Sequence, residues 1–251
     1  MKILFMGTGA ADWNISERRG DGLFRRTTSA LINDELLIDF NAGSIDFIEK
    51  NGTDMGKVRN ILITHTHSDH YSRDAVNKVF GENVCILADA GAAARIGETA
   101  ARQRVMSLYT PTEAGGFTVC AVPANHSVEG SCEQPLHYII SDGEKCLFWG
   151  CDGAWLLNSA WHEMKKYTYD MVVLDGTLGD EEGDYRIFEH NNLRMVTEMA
   201  ETVRNLNLMK ENSKIMISHM SRYSQYAKDE LESRLAPHNI GAAYDGLEIV
   251  L

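Results

Sequence analysis

The stretch Thr64-His65-Thr66-His67-Ser68-Asp69-His70 places four metal-capable side chains within six residues. It follows Asn60–Ile63, a short apolar run that predicts a buried strand. Side chains two positions apart in an extended segment point the same way, so His65 and His67 can hold one metal ion. The aspartate and the third histidine come where the chain turns toward the next predicted helix, and they can present a second pair nearby. One histidine at a strand end is unremarkable, whereas four such groups predict a metal site.

Short β-branched or apolar runs bounded by Gly, Asn, Asp or Pro recur along the whole chain and predict strands. These runs are Lys2–Met6, Ser29–Ile32, Leu36–Phe40, Asn60–Ile63, Val84–Ala88, Phe117–Val122, Leu136–Ile140, Lys145–Trp149, Met171–Leu174, Lys214–Ile217 and Leu247–Leu251. The predicted helices are Ser44–Asn51, Ser72–Phe80, Ala90–Glu98, Asn192–Leu206 and Tyr226–Leu235. Many strands, several helices and the absence of a low-complexity linker predict a single α/β domain over residues 1–251.

Composition and charge restrict the class of function. The 251 residues are 44% hydrophobic and 24% charged, which is typical of a globular protein. No apolar run approaches the length of about 20 residues that crosses a membrane. The N-terminal apolar run ends at Gly7-Thr8-Gly9, too early for a signal peptide, so we expect a cytoplasmic protein with no membrane partner.

The net charge of −12, from 24 basic and 36 acidic side chains, disfavours a surface for large nucleic acids. A small phosphate substrate stays compatible with this charge, because bound metal ions reverse its sign locally. The five cysteines include no Cys-x-x-Cys pair, which favours reduced thiols over a disulfide framework or a thiolate zinc site.

The pattern His-x-His-x-Asp-His after a strand resembles the signature of the metallo-β-lactamase superfamily. Three further segments, each at a predicted strand end, are similar to the remaining ligands of that family: Asn125-His126-Ser127, Gly150-Cys151-Asp152-Gly153 and Ser218-His219. The resemblance implies a four-layer αββα sandwich of two mixed β-sheets with helices outside.

The resemblance also implies two divalent transition-metal ions, which can be Zn, Mn or Fe because His/Asp sites do not choose sharply among them. The implied ligands are His65, His67, His126 and Asp152 for one ion, and Asp69, His70, His219 and the shared Asp152 for the other. Two such ions carry four positive charges, and two carboxylates with a bridging hydroxide remove three. The remaining positive charge suits an anionic phosphodiester, and the ions generate hydroxide at neutral pH.

Three local matches resemble the phosphoribosyl cyclic phosphodiesterase branch of the superfamily. They are Phe24-Arg25-Arg26-Thr27-Thr28-Ser29, His190-Asn191-Asn192-Leu193 and Tyr244-Asp245-Gly246-Leu247-Glu248-Ile249. The second match implies that His190 lies beside the metals and donates a proton to the leaving group. Asp152, the carboxylate shared by both ions, is the other residue predicted to be catalytic. The guanidinium groups of Arg25 and Arg26 are candidates for binding substrate phosphate. Asp39 and Asp245 are candidates for orienting the ligating imidazoles, or for simple turn formation.

The chain also departs from that branch. Residues 10–22 contain no cysteine, so we expect no additional structural zinc, and Asn192 replaces the aspartate that follows the helix-opening histidine. The roles of Arg18, Arg19, Asp175 and the acidic run 180–184 stay open.

The predicted function is that of a dinuclear metal-dependent hydrolase acting on a small cyclic or linear phosphodiester through a metal-bridging hydroxide. A lactonase or another ester hydrolase of the same superfamily is the first alternative. A non-catalytic metal-binding or regulatory protein is the alternative from a different class. The expected partner is a small-molecule phosphodiester rather than a large nucleic acid, and a homodimer is compatible with these predictions.

Overall fold

The computed structural model describes residues 1–17, 24–224, 226 and 228–251. The strands are β1 (Lys2–Gly7), β2 (Ser29–Ile32), β3 (Leu36–Ile38), β4 (Asn60–Leu62), β5 (Cys85–Ala88), β6 (Arg102–Val105), β7 (Thr112–Ala114), β8 (Phe117–Pro123), β9 (Leu136–Ser141), β10 (Cys146–Gly150), β11 (Tyr169–Asp175), β12 (Met209–Ser218), β13 (Gly241–Ala242) and β14 (Glu248–Val250). The α-helices are α1 (Ala42–Asn51), α2 (Arg73–Val79), α3 (Ala90–Ile96), α4 (Asn158–Met164), α5 (Leu193–Asn205) and α6 (Lys228–Leu235). Short 3₁₀ turns cover Ile15–Glu17, Tyr185–Phe188 and Ala236–His238.

The strands form two seven-stranded sheets. The first has the order β14-β1-β2-β3-β4-β5-β6, antiparallel from β14 to β3 and parallel from β3 to β6. The second has the order β13-β12-β11-β10-β9-β8-β7, parallel from β13 to β10 and antiparallel from β10 to β7. Both sheets are therefore mixed, and the predicted α/β sandwich is confirmed.

Three clusters of buried side chains hold the layers together. The cluster between the sheets contains Phe5 of the first sheet and Trp149 of the second, whose ring centroids lie 5.7 Å apart. The outer face of the first sheet packs under α1, α2 and α3. The outer face of the second packs under α4, α5 and α6. Each sheet thus buries both faces, which explains why its strands read as continuous apolar runs rather than as alternating ones.

The sequence pattern does not predict four short elements. Strand β6 was not predicted, because its four residues Arg-Gln-Arg-Val are all exposed at a sheet edge and carry no apolar signal. Strands β7 and β13 have only three and two residues. The sequence does not predict helix α4 either. Leu157, which precedes this helix, makes no side-chain capping hydrogen bond, so the sequence carries no capping signal there.

The topology brings five strand ends to one edge of the sandwich. The segments that follow β4, β8, β10, β11 and β12 all reach this edge, and four of these strands take part in the parallel halves of the sheets. Ligand sites in α/β proteins form at the carboxyl ends of parallel strands. In the described part of the chain, no helix has the length and apolar character needed to cross a membrane.

Candidate metal centre

The loop after β4 folds back on itself and presents its four polar side chains to one place. The main-chain N–H groups of His70 and Tyr71 donate to the carbonyl of His67, over 2.9 and 2.8 Å, which closes a tight turn. The amide of Asn41, at the start of α1, donates to the carbonyl of Asp69. Thr64 anchors the beginning of the loop, since its main-chain N–H donates to Oδ1 of Asp39 over 2.8 Å.

A first group of donors consists of His65, His67, His126 and Asp152. Nδ1 of His67 lies 2.9 Å from Nε2 of His65 and 3.2 Å from Nε2 of His126. Oδ2 of Asp152 lies 3.4 Å from Nε2 of His65 and 3.5 Å from Nε2 of His126. Residues from the loops after β4, β8 and β10 therefore form this group.

A second group consists of Asp69, His70, His219 and again Asp152. Nε2 of His70 lies 3.2 Å from Nε2 of His219, and Oδ2 of Asp69 lies 3.4 and 3.3 Å from these two nitrogens. Oδ2 of Asp152 is 3.2 Å from His70 and 3.5 Å from His219. One carboxylate oxygen thus belongs to both groups.

These separations fit metal ligation. Ligand atoms about 2.1 Å from one ion in a tetrahedral arrangement lie about 3.4 Å from one another. Both groups are close to this spacing and present imidazole nitrogens and carboxylate oxygens, the donors that Zn, Mn and Fe accept. The seven residues predicted as ligands therefore lie together, in two sets that share Asp152.

Strained backbone accompanies the site. Asp39, Asp152 and His219 have φ values of 56°, 60° and 58°, in the left-handed region that residues other than glycine rarely adopt. Such conformations cost about 1–3 kcal/mol each and persist where the surrounding structure holds them, often at functional sites. Gly153, after Asp152, has no room for a side chain, because a Cβ there would lie 2.9 Å from Nε2 of His137.

Two further carboxylates stand behind the second group. Nδ1 of His70 lies 2.7 Å from Oδ2 of Asp39, as expected for a residue that orients a ligating imidazole. Asp175, whose role the sequence left open, lies at the end of β11 with Oδ2 3.3 Å from Nδ1 of His219. The hydroxyl of Thr177 donates to the same carboxylate over 2.8 Å. These contacts direct the Nε2 atoms of both imidazoles toward Asp152.

The protonation of the histidines differs between the groups. Burial, with the neighbouring His70, holds the pKa of His65 well below its ordinary value, and burial likewise lowers that of His67. For His219, burial opposes protonation, but Asp152 and the other carboxylates outweigh it and raise the pKa to about 9. Burial would raise the pKa of Asp152, yet the surrounding histidines hold it well below its usual range. The shared carboxylate is therefore ionised.

His190 lies beside the shared carboxylate. Its Nδ1 is 3.0 Å from Oδ1 of Asp152 and 3.3 Å from Oδ2 of Asp175. Burial opposes its protonation, but these two carboxylates prevail and raise the pKa of His190 to about 11. Its side chain is 17% exposed and lines the cleft that opens over the centre.

The cleft has a volume of about 410 Å³. Beyond the ligands, its wall includes Arg186, Glu189 and Tyr223. Arg186 lies in the 3₁₀ turn before His190. Its Nε and Nη2 donate to the carboxylate of Asp184 over 3.1 and 2.8 Å. Sequence reasoning missed Arg186, because nothing in the pattern of residues distinguishes it from a solvated arginine.

Arg25 and Arg26 lie away from this cleft. Arg25 is buried, and its Nη1 donates to Oγ1 of Thr8 and to the carbonyl of Ala243, over 2.7 and 2.8 Å. Nε of Arg26 donates to Oδ2 of Asp46 over 2.8 Å. The prediction that they bind substrate is corrected: both guanidinium groups are engaged inside the fold. Arg18 and Arg19 lie outside the described residues.

Of the two roles predicted for Asp245, its contacts do not support the orientation of an imidazole. Its Oδ1 accepts hydrogen bonds from the main-chain N–H and the hydroxyl of Thr8, and its Oδ2 accepts one from the main-chain N–H of Arg26. It contacts no imidazole in these bonds, so it joins the C-terminal segment to the loops after β1 and before β2. A pattern of short acidic motifs cannot distinguish this role from that of Asp39.

The family model that matches the chain is described as the β-lactamase superfamily domain, and it covers residues 44–220. The chain therefore belongs to this superfamily. No protein with curated annotation matches it in sequence.

Solved structures support the fold. A diphosphatase from the PhnP family is 18% identical, with a TM-score of 0.76 over 100% of this chain and 97% of that one. Zn²⁺-bound PqqB from Methylobacterium extorquens is 14% identical, with a TM-score of 0.73 over 100% of both chains. The short form of human tRNase Z is 18% identical, with a TM-score of 0.69 over 100% of this chain and 99% of that one.

The family, the fold and the two donor groups define the class of protein. It is a metal-dependent hydrolase of the metallo-β-lactamase superfamily, with its divalent metal site at the carboxyl ends of the central strands.

Proposed function

We propose that the protein is a dinuclear metal-dependent phosphodiesterase that cleaves a small cyclic or linear phosphodiester. The observation that carries this proposal is the position of Asp152, whose Oδ2 lies within 3.2–3.5 Å of four imidazole nitrogens from both donor groups. A carboxylate oxygen shared in this way suits two neighbouring cations. The resemblance to the phosphoribosyl cyclic phosphodiesterase branch, together with the similarity to a PhnP-family diphosphatase, favours phosphate chemistry.

Different residues of the chain have different roles in this reaction. When bound, two divalent ions would supply an acidified water as nucleophile and positive charge for the phosphoryl oxygens. Asp69, Asp152 and the five ligating histidines hold the ions. Asp39 fixes the imidazole of His70 by accepting from its Nδ1 over 2.7 Å. The hydroxyl of Thr177, which donates to Asp175, lies 2.8 Å from Nδ1 of His219 and links that imidazole to the carboxylate. The phosphodiester then binds in the cleft above Asp152.

His190 is suited to protonate the leaving alkoxide. Its Nδ1 bonds to Oδ2 of Asp175 over 3.3 Å and lies 3.0 Å from Oδ1 of Asp152, so Nε2 is the nitrogen left to face a substrate. Despite its burial, the two carboxylates raise the pKa of His190 to about 11, and they thus favour the protonated ring that a general acid requires. General acids placed in this way accelerate reactions about 10²–10⁴-fold, mainly for leaving groups that are poor by themselves.

The cleft fits a small substrate. Its volume of about 410 Å³ lies within the range of about 300–1,000 Å³ that small-molecule sites occupy. Arg186 lies on its wall with Nε and Nη2 bonded to Asp184, and its other guanidinium N–H groups can contact the non-reacting part of the substrate. Cytoplasmic location, homodimer formation and the choice of Zn, Mn or Fe stay predictions.

A panel assay on metal-loaded protein tests the reaction class. The panel contains cyclic phosphates, linear phosphodiesters, lactones and thioesters. We expect cleavage of phosphodiesters with a kcat/KM well above that of the other classes. Cleavage of lactones alone would replace the phosphodiesterase by a lactonase, and no cleavage by fully loaded protein would favour a non-catalytic metal-binding protein.

The variant His190→Ala tests the proton donor. Bis(p-nitrophenyl) phosphate has a leaving group that needs little protonation, so we expect its hydrolysis to slow less than tenfold. A diester with an alkyl leaving group should slow about 10²-fold or more, because its alkoxide needs the proton. Equal losses for both substrates would remove this role from His190.

A further inference from the structure

The carboxylate of Glu133 is buried in the loop between β8 and β9, outside the two donor groups. Its side chain has no exposed surface. Oε2 accepts a hydrogen bond from the main-chain N–H of Thr66 over 2.9 Å, and Oε1 accepts from the Thr66 hydroxyl over 2.5 Å. The hydroxyl of Ser131 also donates to Oε1, over 3.1 Å. The carboxylate of Glu133 therefore accepts two hydrogen bonds from Thr66.

Thr66 lies between His65 and His67, while Glu133 belongs to the loop that carries His126. This carboxylate thus joins the two loops that provide all three histidines of the first donor group. His67 presents Nδ1 rather than Nε2 to that group. Because Nδ1 is the ring nitrogen nearer the main chain, its position depends closely on the peptide that Glu133 holds.

The surroundings of Glu133 are themselves held in place. The main-chain N–H of Gln134 donates to Oδ2 of Asp89, and the same oxygen accepts from Gly91 at the start of α3. A Cβ on Gly91 would lie 2.7 Å from the Cα of Glu133, so α3 packs directly against this loop. The main-chain N–H of Leu136 donates to the carbonyl of Thr64 over 2.9 Å. Hydrogen bonds and close packing thus join the loop of Glu133 to α3 and to the residue before His65.

Burial of a carboxylate is costly unless hydrogen bonds and opposite charge compensate for it. Glu133 is satisfied by hydroxyl and N–H donors, and the nearest guanidinium nitrogen, Nη1 of Arg95, is 3.8 Å away on a half-exposed side chain. The second donor group has supports of its own: Asp39 contacts Nδ1 of His70, Thr177 contacts Nδ1 of His219, and the side-chain amide of Asn41 donates to the carbonyl of Asp69. Glu133 bonds instead to Thr66, the residue between two histidines of the first group.

We infer that Glu133 is a positioning residue for the first metal site: it sets the geometry of His65, His67 and His126 through Thr66 and leaves the second site unaffected. This inference rests on the two-metal centre of the proposed function. It assigns separate supports to the two sites, and the affinity of each can therefore be changed independently.

Zinc affinity in single-site backgrounds tests this role. His219→Ala retains the three histidines of the first site, and His126→Ala retains the ligands of the second. Glu133→Ala is combined with each, and Zn²⁺ binding is measured by competition with a chromophoric chelator. We expect a loss of about 10–100-fold in the His219→Ala background, as when the support of a ligand is removed. In the His126→Ala background we expect less than a threefold change.

Companion variants separate positioning from folding. Glu133→Gln should restore most of the affinity, because its oxygen can accept from Thr66 while its amide contacts the hydroxyls. Thr66→Val keeps the main-chain hydrogen bond to Glu133 and removes the hydroxyl. It should lower the zinc affinity of the first site three- to tenfold, and it replaces Glu133→Ala as the test if that variant does not fold. Glu129→Ala, on the exposed part of the same loop, should change neither site.

Equal losses at both sites, or no loss at the first, would overturn the role of Glu133. A failure of the proposed function is distinguishable from these outcomes. A wrong reaction class would appear in the substrate panel and leave zinc binding intact, whereas a failure of the metal centre would appear as no zinc binding in the wild-type protein and in either background with Glu133 intact.

Discussion

Strand β11 carries a buried carboxylate at each end, and the two have opposite surroundings. At its start, Asp170 accepts from Nζ of Lys145 and of Lys210, over 3.0 and 2.6 Å, and from the main-chain N–H of Cys146 over 2.9 Å. At its end, Asp175 faces the imidazoles of His190 and His219, both at 3.3 Å. Asp170 therefore has lysines as permanent counter-charges at the start of the strand, whereas Asp175 has titratable imidazoles beside it at the end.

This difference extends to the whole edge of the sandwich. Asp39, Asp69, Asp152 and Asp175 are all buried there, and within the described residues their ion-pair partners are imidazoles rather than lysine or arginine side chains. Buried carboxylates require compensating charge. Lysines supply it at the far end of β11. At the site end, imidazoles face the carboxylates, and these two kinds of group together are the donors that a divalent cation would bind.

Asp152→Ala should have the largest effect, because it removes the oxygen that both donor groups share. We expect the hydrolysis of bis(p-nitrophenyl) phosphate to fall by at least about 10³-fold, since the loss removes metal ligation and charge stabilisation together. Initial rates with metal-replete protein measure this. Circular dichroism of the variant serves as the control for folding. Retention of more than a tenth of the activity would mean that the shared carboxylate is not essential.

Asp39→Asn should have an intermediate effect. It keeps the size of the side chain but weakens the partner of Nδ1 of His70, so the second site should lose about 10–100-fold in metal affinity. Zn²⁺ titration in the His126→Ala background measures that site alone. An unchanged zinc affinity of the second site would mean that Asp39 has a structural role only, like that of Asp170.

Asp170→Asn should affect stability alone. Burial would raise the pKa of Asp170, but Lys210, the N–H of Cys146 and Lys145 together lower it. A carboxyl group with a lowered folded pKa stabilises the protein above its unfolded pKa of about 4, and that contribution is lost as the pH falls through the folded value. We expect the variant to be about 1–2 kcal/mol less stable at pH 7, from its lost charged hydrogen bonds.

Urea unfolding of both proteins from pH 7 downward measures this contribution. The difference should shrink below about pH 4, while kcat/KM at pH 7 stays at the wild-type level. A loss of activity without a loss of stability would contradict the assignment of Asp170 to structure.

The sequence alone predicts much of the fold and of the metal site, for physical reasons that can be named. Buried strands carry a continuous apolar signal, and the predicted bounds of Ser29–Ile32 match the structure. The strand predicted over Lys214–Ile217 is longer in the structure, where it covers Met209–Ser218. The ligands lie at strand ends, where clustered histidines are unusual. Exposed β6 and the short β13 carry no such signal, since neighbouring strands rather than their own side chains stabilise them.

The supporting residues of the site were harder to predict. Asp39 and Asp245 are both isolated acids near turns, and only the three-dimensional contacts show that one holds an imidazole and the other holds Thr8. Glu133 depends on a contact with Thr66, 67 positions earlier in the chain. Arg25 and Arg26 resemble phosphate-binding residues in sequence, yet their partners come from distant segments. Roles set by long-range packing leave little trace in local patterns.

The metal content of the purified protein tests the central claim most directly. After expression and reconstitution with excess Zn²⁺ or Mn²⁺ and removal of free metal, elemental analysis should give two ions per chain. The two donor groups that share Asp152 require this number. A content below one ion per chain would contradict the metal centre, and with it the explanation for the buried acids at this edge of the sandwich.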